Sequence, residues 1–176
     1  MCVCVRSARP FLESAAHAGV VVRRPVCAPA PSLYNGPVSQ FATILRVRTR
    51  GRGLYEFTGD LVEWVDAHQL DTGLLTLFCR HTSASLLIQE NAAPAVRDDL
   101  EAYFEALAPE DKGRYSHDDE GPDDMPAHIR AALTAVSLSI PIVAGRLALG
   151  TWQGVYLFEH RRAPHLREVA AHLLGP

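Results

Sequence analysis

The chain has 176 residues, 48% of them hydrophobic, and a formal charge of −3. That suits one globular domain with a real core, and the slight acidity argues against a nucleic-acid surface, which normally carries a strong positive excess. No run approaches the roughly 18 uninterrupted apolar residues that a membrane span requires. The four cysteines are Cys2, Cys4, Cys27 and Cys79. They form neither a disulfide framework nor a paired CxxC zinc pattern, so a reduced, cytoplasmic protein is expected. Cys2-x-Cys4 alone is a weak metal signal.

Residues 1–37 differ from the rest in being arginine- and proline-rich, with "CAPAPSLYNGP" near their end. They lack an apolar stretch of signal-peptide length. A poorly ordered N-terminal extension is expected here, with a start-site artefact or a mitochondrial-type presequence as alternatives. The folded domain is expected over residues 38–176.

Within that domain "QFATILRVRTR" alternates, with Phe41, Thr43, Leu45 and Val47 on one face, as in a half-buried strand. A "GRG" turn and a short strand, "LYEF", follow. "TGDLVEWVDAHQL" has helical spacing, with Thr58 or Asp60 as N-cap. "GLLTLFCRH" predicts a buried strand and "SASLLIQE" another. Pro94 opens a helix, "PAVRDDLEAYFEAL", whose apolar stripe is Val96, Leu100, Tyr103, Phe104 and Leu107. After a polar loop a second such helix is expected from Met125 to about Ala135. "SLSIPIV", "GRLALG" and "WQGVYLFEH" are strand-like and separated by Gly or Pro. The final "PHLREVAAHLL" has a composition that favours helix. The pattern predicts an α+β fold, a compact single domain of mostly antiparallel sheet with helices packed on one side.

Three clusters carry residues with chemical potential. In "RHTSAS", an extended chain places His81, Ser83 and Ser85 on one face. An imidazole beside two hydroxyls can bind phosphate oxygens or move protons, or it is bonded to backbone while the hydroxyls fill a bend. No GxSxG elbow accompanies these serines, and Cys79 reads as a buried structural thiol. In "HDDEGPDDMPAH", five acids and two histidines fall within twelve residues. Pro126 suits a first helical turn, and Asp123 or Asp124 can cap its amides. Capping does not call for His117 or His128. A fold-back joining these two to His81 would make a three-histidine set able to hold zinc with one position open. In "GTWQGVYLFEHR", Gly150 and Gly154 permit close approach. Glu159 is a potential base or ligand, or the strand simply ends in solvated charges.

Taken in order, "HTSASLLIQENAAPAVRDDLEAYF", "YSHDDEGPDDMPAHIRAAL" and "GRLALGTWQGVYLFEHR" resemble the YjbQ family, whose members are described as secondary thiamine-phosphate synthases. The resemblance runs from about Ser39 to Gly175. It implies a compact α+β domain, a homotrimer, and a final segment that is a strand despite its composition. It also implies joining of a pyrimidine diphosphate to a thiazole phosphate with release of pyrophosphate. On that reading His81, Glu159 and His160 act in catalysis. Thr82, Ser83, Ser85, Asn91, Thr151 and Gln153 bind the phosphorylated substrate, and His81, His117 and His128 hold a divalent metal, Mg²⁺ or Zn²⁺. A three-histidine metal-dependent hydrolase and a non-catalytic trimeric binder of a phosphorylated small molecule are the alternatives.

Overall fold

The computed structural model describes residues 37–111 and 113–176; the expectations for the N-terminal extension, including Cys2-x-Cys4, lie outside them except at Pro37. Eleven elements follow one another: β1 (Ser39–Arg48), β2 (Gly53–Glu56), α1 (Thr58–Asp66), β3 (Gly73–Cys79), β4 (Ala84–Glu90), α2 (Pro94–Leu107), α3 (Asp124–Leu133), β5 (Ser137–Val143), β6 (Arg146–Leu147), β7 (Gln153–Glu159) and β8 (Leu166–Gly175). The strands form two antiparallel sheets, ordered β1-β8-β3-β5-β6 and β2-β7-β4. This is the α+β architecture expected from the sequence.

The two sheets face each other across one core. Leu75 and Leu77 of β3, Val169 and Leu173 of β8, and Ile140 and Ile142 of β5 meet Leu86 of β4 and Val155 and Leu157 of β7. Leu61 and Val65 of α1 join the same cluster. β1 behaves as its alternation requires: Phe41, Thr43, Leu45 and Val47 turn inward, and the residues between them are exposed. β7 is enclosed on both faces, because its second face meets α2. There the rings of Phe158 and Phe104 pack edge to face at 5.4 Å. α3 is tied to α2 by Arg130, whose Nε and Nη2 donate to Phe104 O (3.2 Å) and Ala108 O (2.7 Å). A guanidinium there satisfies the last carbonyls of α2 and complements the negative end of its dipole.

Several local expectations are corrected. Thr58 does not cap α1: its hydroxyl donates to Glu56 Oε1 (2.9 Å) and accepts from Val155 N (2.8 Å), pinning the helix start to β7. α2 has the predicted limits, but none of its residues is buried, and Tyr103 and Leu107 are exposed. α3 runs one residue earlier and stops sooner than the pattern suggests. "GRLALG" contributes only Arg146–Leu147 to a sheet. The C-terminal segment is strand: β8 lies between β1 and β3, paired with β1 along its whole length and with β3 from Val169 to Leu174. Tertiary pairing overrides the helical preference of Ala, Leu and Glu there.

His81, Ser83 and Ser85 do not lie on one strand face. β3 ends at Cys79 and β4 starts at Ala84 in the other sheet, so residues 80–83 are a turn that crosses between sheets. The other face of the large sheet leaves Ile44, Leu74, Phe78, Val143 and Leu174 exposed. The strand pairing sets Ile44, Ala170 and Phe78 side by side on it.

Candidate metal centre

The structure gathers His117, Asp124 and His128: one ligand atom from each lies within 4.8 Å of the others. Asp124 and His128 stand one helical turn apart on α3, so both project from the same face. His117 is brought back over that face by the turn 118–121, where Gly121 N donates to Asp118 O and Gly121 adopts φ +105°. That left-handed conformation is costly for any residue bearing a Cβ.

The proton arrangement of this cluster is informative. Nδ1 of His128 lies 2.9 Å from Thr82 O. A carbonyl can only accept, so Nδ1 carries the hydrogen, and Nε2 of the neutral ring presents a bare lone pair. That lone pair faces Asp124 Oδ2 at 3.2 Å. His117 Nε2 approaches the same oxygen at 2.9 Å. An imidazole lone pair and a carboxylate oxygen at this separation repel unless a cation, either a proton or a metal ion, is shared between them. The other oxygen of Asp124 is bonded by Arg161 Nη1, which leaves Oδ2 as a one-oxygen ligand. Asp124 is 1% exposed, while the side chains of His117 and His128 are 42% and 32% exposed. The cluster therefore has a fixed floor and an open side.

The acids ahead of α3 are not caps, contrary to expectation: no side chain bonds the free amides at the helix start. Asp123 instead accepts from Arg161 Nε (3.1 Å) and Arg162 N (2.8 Å). Burial alone would raise its carboxyl, but the Arg162 amide and the Arg161 guanidinium outweigh that and hold it below its ordinary range. Arg161 also donates to Glu120 O (2.8 Å). The charges after β7, which read as solvated, are thus the clamp on the candidate centre. Beside His117 lies a cavity of about 280 Å³, with Tyr115, Asp118, Pro122, Met125 and Asp111 in its wall.

The other sequence-derived site residues fall elsewhere. His81 is outside the cluster, because its Nε2 accepts the amide of Glu168 at 2.7 Å. Burial, and then the Arg167 guanidinium, lower its pKa. Glu159 is fully buried. Its oxygens take Arg167 Nε (2.7 Å), Arg167 Nη2 (2.5 Å), Thr49 Oγ1 (3.0 Å) and Arg161 N (3.0 Å). Four donors thus engage its two oxygens. Arg167 Nη2 also reaches Ser83 Oγ (3.1 Å). His160 is fully buried against Phe158, with Nε2 2.9 Å from Ser85 Oγ. Burial holds its pKa down at about 3. Cys79 is buried too, which raises its thiol pKa.

Thr82 enters the centre through its carbonyl, whereas Asn91, Thr151 and Gln153 gather at the far end of β7. Asn91 N donates to Trp152 O and Gln153 Oε1 accepts from Gly150 N. A side chain at Gly154 there would meet Glu56 Oε1 at 2.7 Å and the Tyr156 ring at 3.0 Å, so a larger residue would have to push both aside. In the β4–β7 ladder Gln153 pairs with Glu90 and Glu159 with Ala84, which separates the two groups by about 20 Å at 3.3 Å per residue. Sequence reasoning missed Arg161 and Arg167, and took Asp124 for a cap when the structure sets it beside the two histidines. The Asp-x-x-x-His spacing of "DMPAH" was the available signal for Asp124.

The fold and the cluster define an α+β protein with a candidate two-histidine, one-carboxylate centre at the start of α3. The family described as UPF0047 protein YjbQ-like matches residues 43–176, and the chain belongs to it. It is 56% identical over 136 residues to the UPF0047 protein sll1880 of Synechocystis, covering 77% of this chain and 92% of that protein. It is 42% identical over 132 residues to YjbQ of Escherichia coli O157:H7, covering 74% and 95%. The crystal structure of a YjbQ/UPF0047-family protein of Clostridium acetobutylicum superposes with a TM-score of 0.68 at 33% identity, covering 74% of this chain and 98% of that one.

Proposed function

We propose that the protein is a metal-dependent enzyme acting on a phosphorylated small molecule, with the divalent cation held by His117, Asp124 and His128. The observation that carries this reading is the convergence of the two imidazole nitrogens on Asp124 Oδ2, with His128 locked by Thr82 into the tautomer a ligand needs. Two nitrogens and one oxygen suit zinc better than magnesium, which prefers an all-oxygen shell. A cation there supplies Lewis acidity toward a phosphoryl oxygen and a lowered pKa for a bound water. Arg161 fixes the carboxylate, Thr82 fixes the ring of His128, and the exposed edges of His117 and His128 leave the open side to substrate.

The neighbouring cavity, about 280 Å³, is at the small end of ligand sites. That favours hydrolysis of a single phosphorylated compound over the joining of two. The secondary thiamine-phosphate synthase reaction is the second reading. Asp111 and Asp118 in the cavity wall favour it, as acceptors for an amino-substituted ring. A homotrimer would cover the exposed apolar face of the large sheet. We propose a cytoplasmic location, a reducing compartment in which a free thiol such as Cys79 persists.

The test is turnover by metal-stripped full-length protein with Zn²⁺ or Mg²⁺ restored, beside Asp124→Asn. One set of reactions holds a panel of phosphate monoesters, the other the pyrimidine diphosphate with the thiazole phosphate. Phosphate release that needs metal and falls by roughly 100-fold or more in Asp124→Asn is expected. Thiamine phosphate with the same dependence would establish the second reading. No metal-dependent turnover of either kind, or equal turnover by the variant, would contradict both.

A further inference from the structure

His81 stands one residue from a group that touches the candidate centre, yet its ring is directed to β8. Besides the exposed Arg80–Glu168 ion pair, two bonds to the backbone of Glu168 clamp the turn 80–83. Arg80 N donates to Glu168 O (3.1 Å), and Glu168 N donates to His81 Nε2 (2.7 Å). The β3–β8 ladder ends at the pair Cys79 and Val169. At the next rung the backbone donates once, and the imidazole takes the place of the carbonyl that would accept in return. From this same turn Thr82 O accepts the Nδ1–H of His128 (2.9 Å). One residue further, Ser83 O accepts from His160 N (3.2 Å) and Ser83 Oγ from Arg167 (3.1 Å). The carbonyl that orients His128 is thus held from both sides; on the β8 side the ties are the Arg80 amide, the Arg80 guanidinium on Glu168 Oε2 (2.5 Å) and His81, and of these His81 is the nearest in sequence to Thr82.

We propose that His81 is a positioning residue for the metal centre: by accepting the Glu168 amide it fixes the Thr82 carbonyl, which points Nε2 of His128 at Asp124. This rests on the metal reading above. The role excludes the two functions that the sequence suggested for this histidine. A backbone amide cannot give up its hydrogen, so Nε2 is neither a metal ligand nor a proton acceptor while the turn is closed. Groups that orient a ligand commonly change metal affinity by about 10–100-fold when removed, and that is the range expected here.

The experiment measures Zn²⁺ affinity by competition with a chromophoric chelator, on full-length wild type, His81→Ala, His81→Gln and His81→Asn. Thermal melting is recorded in parallel. Glutamine can place its amide oxygen near the position of Nε2, whereas asparagine reaches only to the position of Nδ1. The expected order is wild type, then Gln within a few-fold, with Asn and Ala about 10–100-fold weaker. A purely structural histidine would lower the melting temperature but leave the affinity of the folded protein unchanged. Equal affinity in wild type and His81→Ala overturns the role while leaving the centre standing. If His81→Ala does not fold, the comparison of Gln with Asn decides, and equal affinities for those two overturn it. Absence of Zn²⁺ binding by wild type overturns the centre itself and this role with it.

Discussion

Replacing Arg167 with methionine is expected to destabilise the domain by about 3–5 kcal/mol, a large share of what a domain of this size has. The cost does not come from the net worth of the Glu159–Arg167 pair, since burying two charges removes nearly as much hydration as their attraction returns. It comes from what is left behind. Glu159 is fully buried, and Arg167 supplies two of the donors to its oxygens. Without the guanidinium, a carboxylate remains between the sheets with Thr49 Oγ1 and the Arg161 amide bonded to it and His165 Nδ1 3.4 Å away. Urea unfolding of Arg167→Met beside the double variant Glu159→Leu/Arg167→Met separates the two causes. The double variant is expected to regain most of the loss, because an apolar pair of similar volume carries no stranded charge. If it stays as unstable as the single variant, the packing of the arginine stem matters and the charge does not.

The second large effect is acid sensitivity from His160. Its pKa falls from 6.5 to about 3 because the ring is desolvated, with Arg130 and Arg167 adding to the penalty on the charged form. The unfolded chain therefore binds a proton between those two values that the folded protein refuses. Stability is complete above about pH 6.5 and is lost as the pH falls toward 3, by up to about 1.4 kcal/mol per unit. Between pH 7 and pH 5 this one residue should cost about 2 kcal/mol. Urea midpoints measured at both values are expected to show that loss in wild type and a flatter dependence in His160→Gln, which can still hydrogen-bond Ser85. An unchanged slope in the variant would move the acid sensitivity to other groups.

Much of the architecture is legible in the chain, for physical reasons that also explain the misses. β1 is readable because one face is buried and the other wet, so its alternation survives in the sequence. α2 is readable from Pro94 and its helical spacing, although its apolar stripe is only half covered, with Tyr103 and Leu107 exposed. β8 is not readable by composition, because its identity comes from two neighbours, β1 and β3, whose pairing no local window contains. The candidate site divides in the same way. His117 and His128 lie near in sequence, and their fold-back follows from a glycine turn and a helix start. His81, which the pattern grouped with them, is drawn off by a backbone amide of β8, a partner 87 residues away. Glu159 and His160 look solvated beside Arg161 and Arg162. β7 is buried on both faces, however: Glu159 is met by Arg167 only after the chain has turned into β8, and His160 by Ser85 of β4, 75 residues away.

The most direct test of the metal centre is Zn²⁺ binding by the full-length protein, freed of metal and titrated by calorimetry, with Asp124→Asn measured beside it. One Zn²⁺ per chain is expected, with affinity lower by roughly 100-fold or more in Asp124→Asn and little change in its far-ultraviolet circular dichroism. No saturable binding by wild type, or equal binding by the variant, would mean that His117, Asp124 and His128 share a proton and not a metal ion.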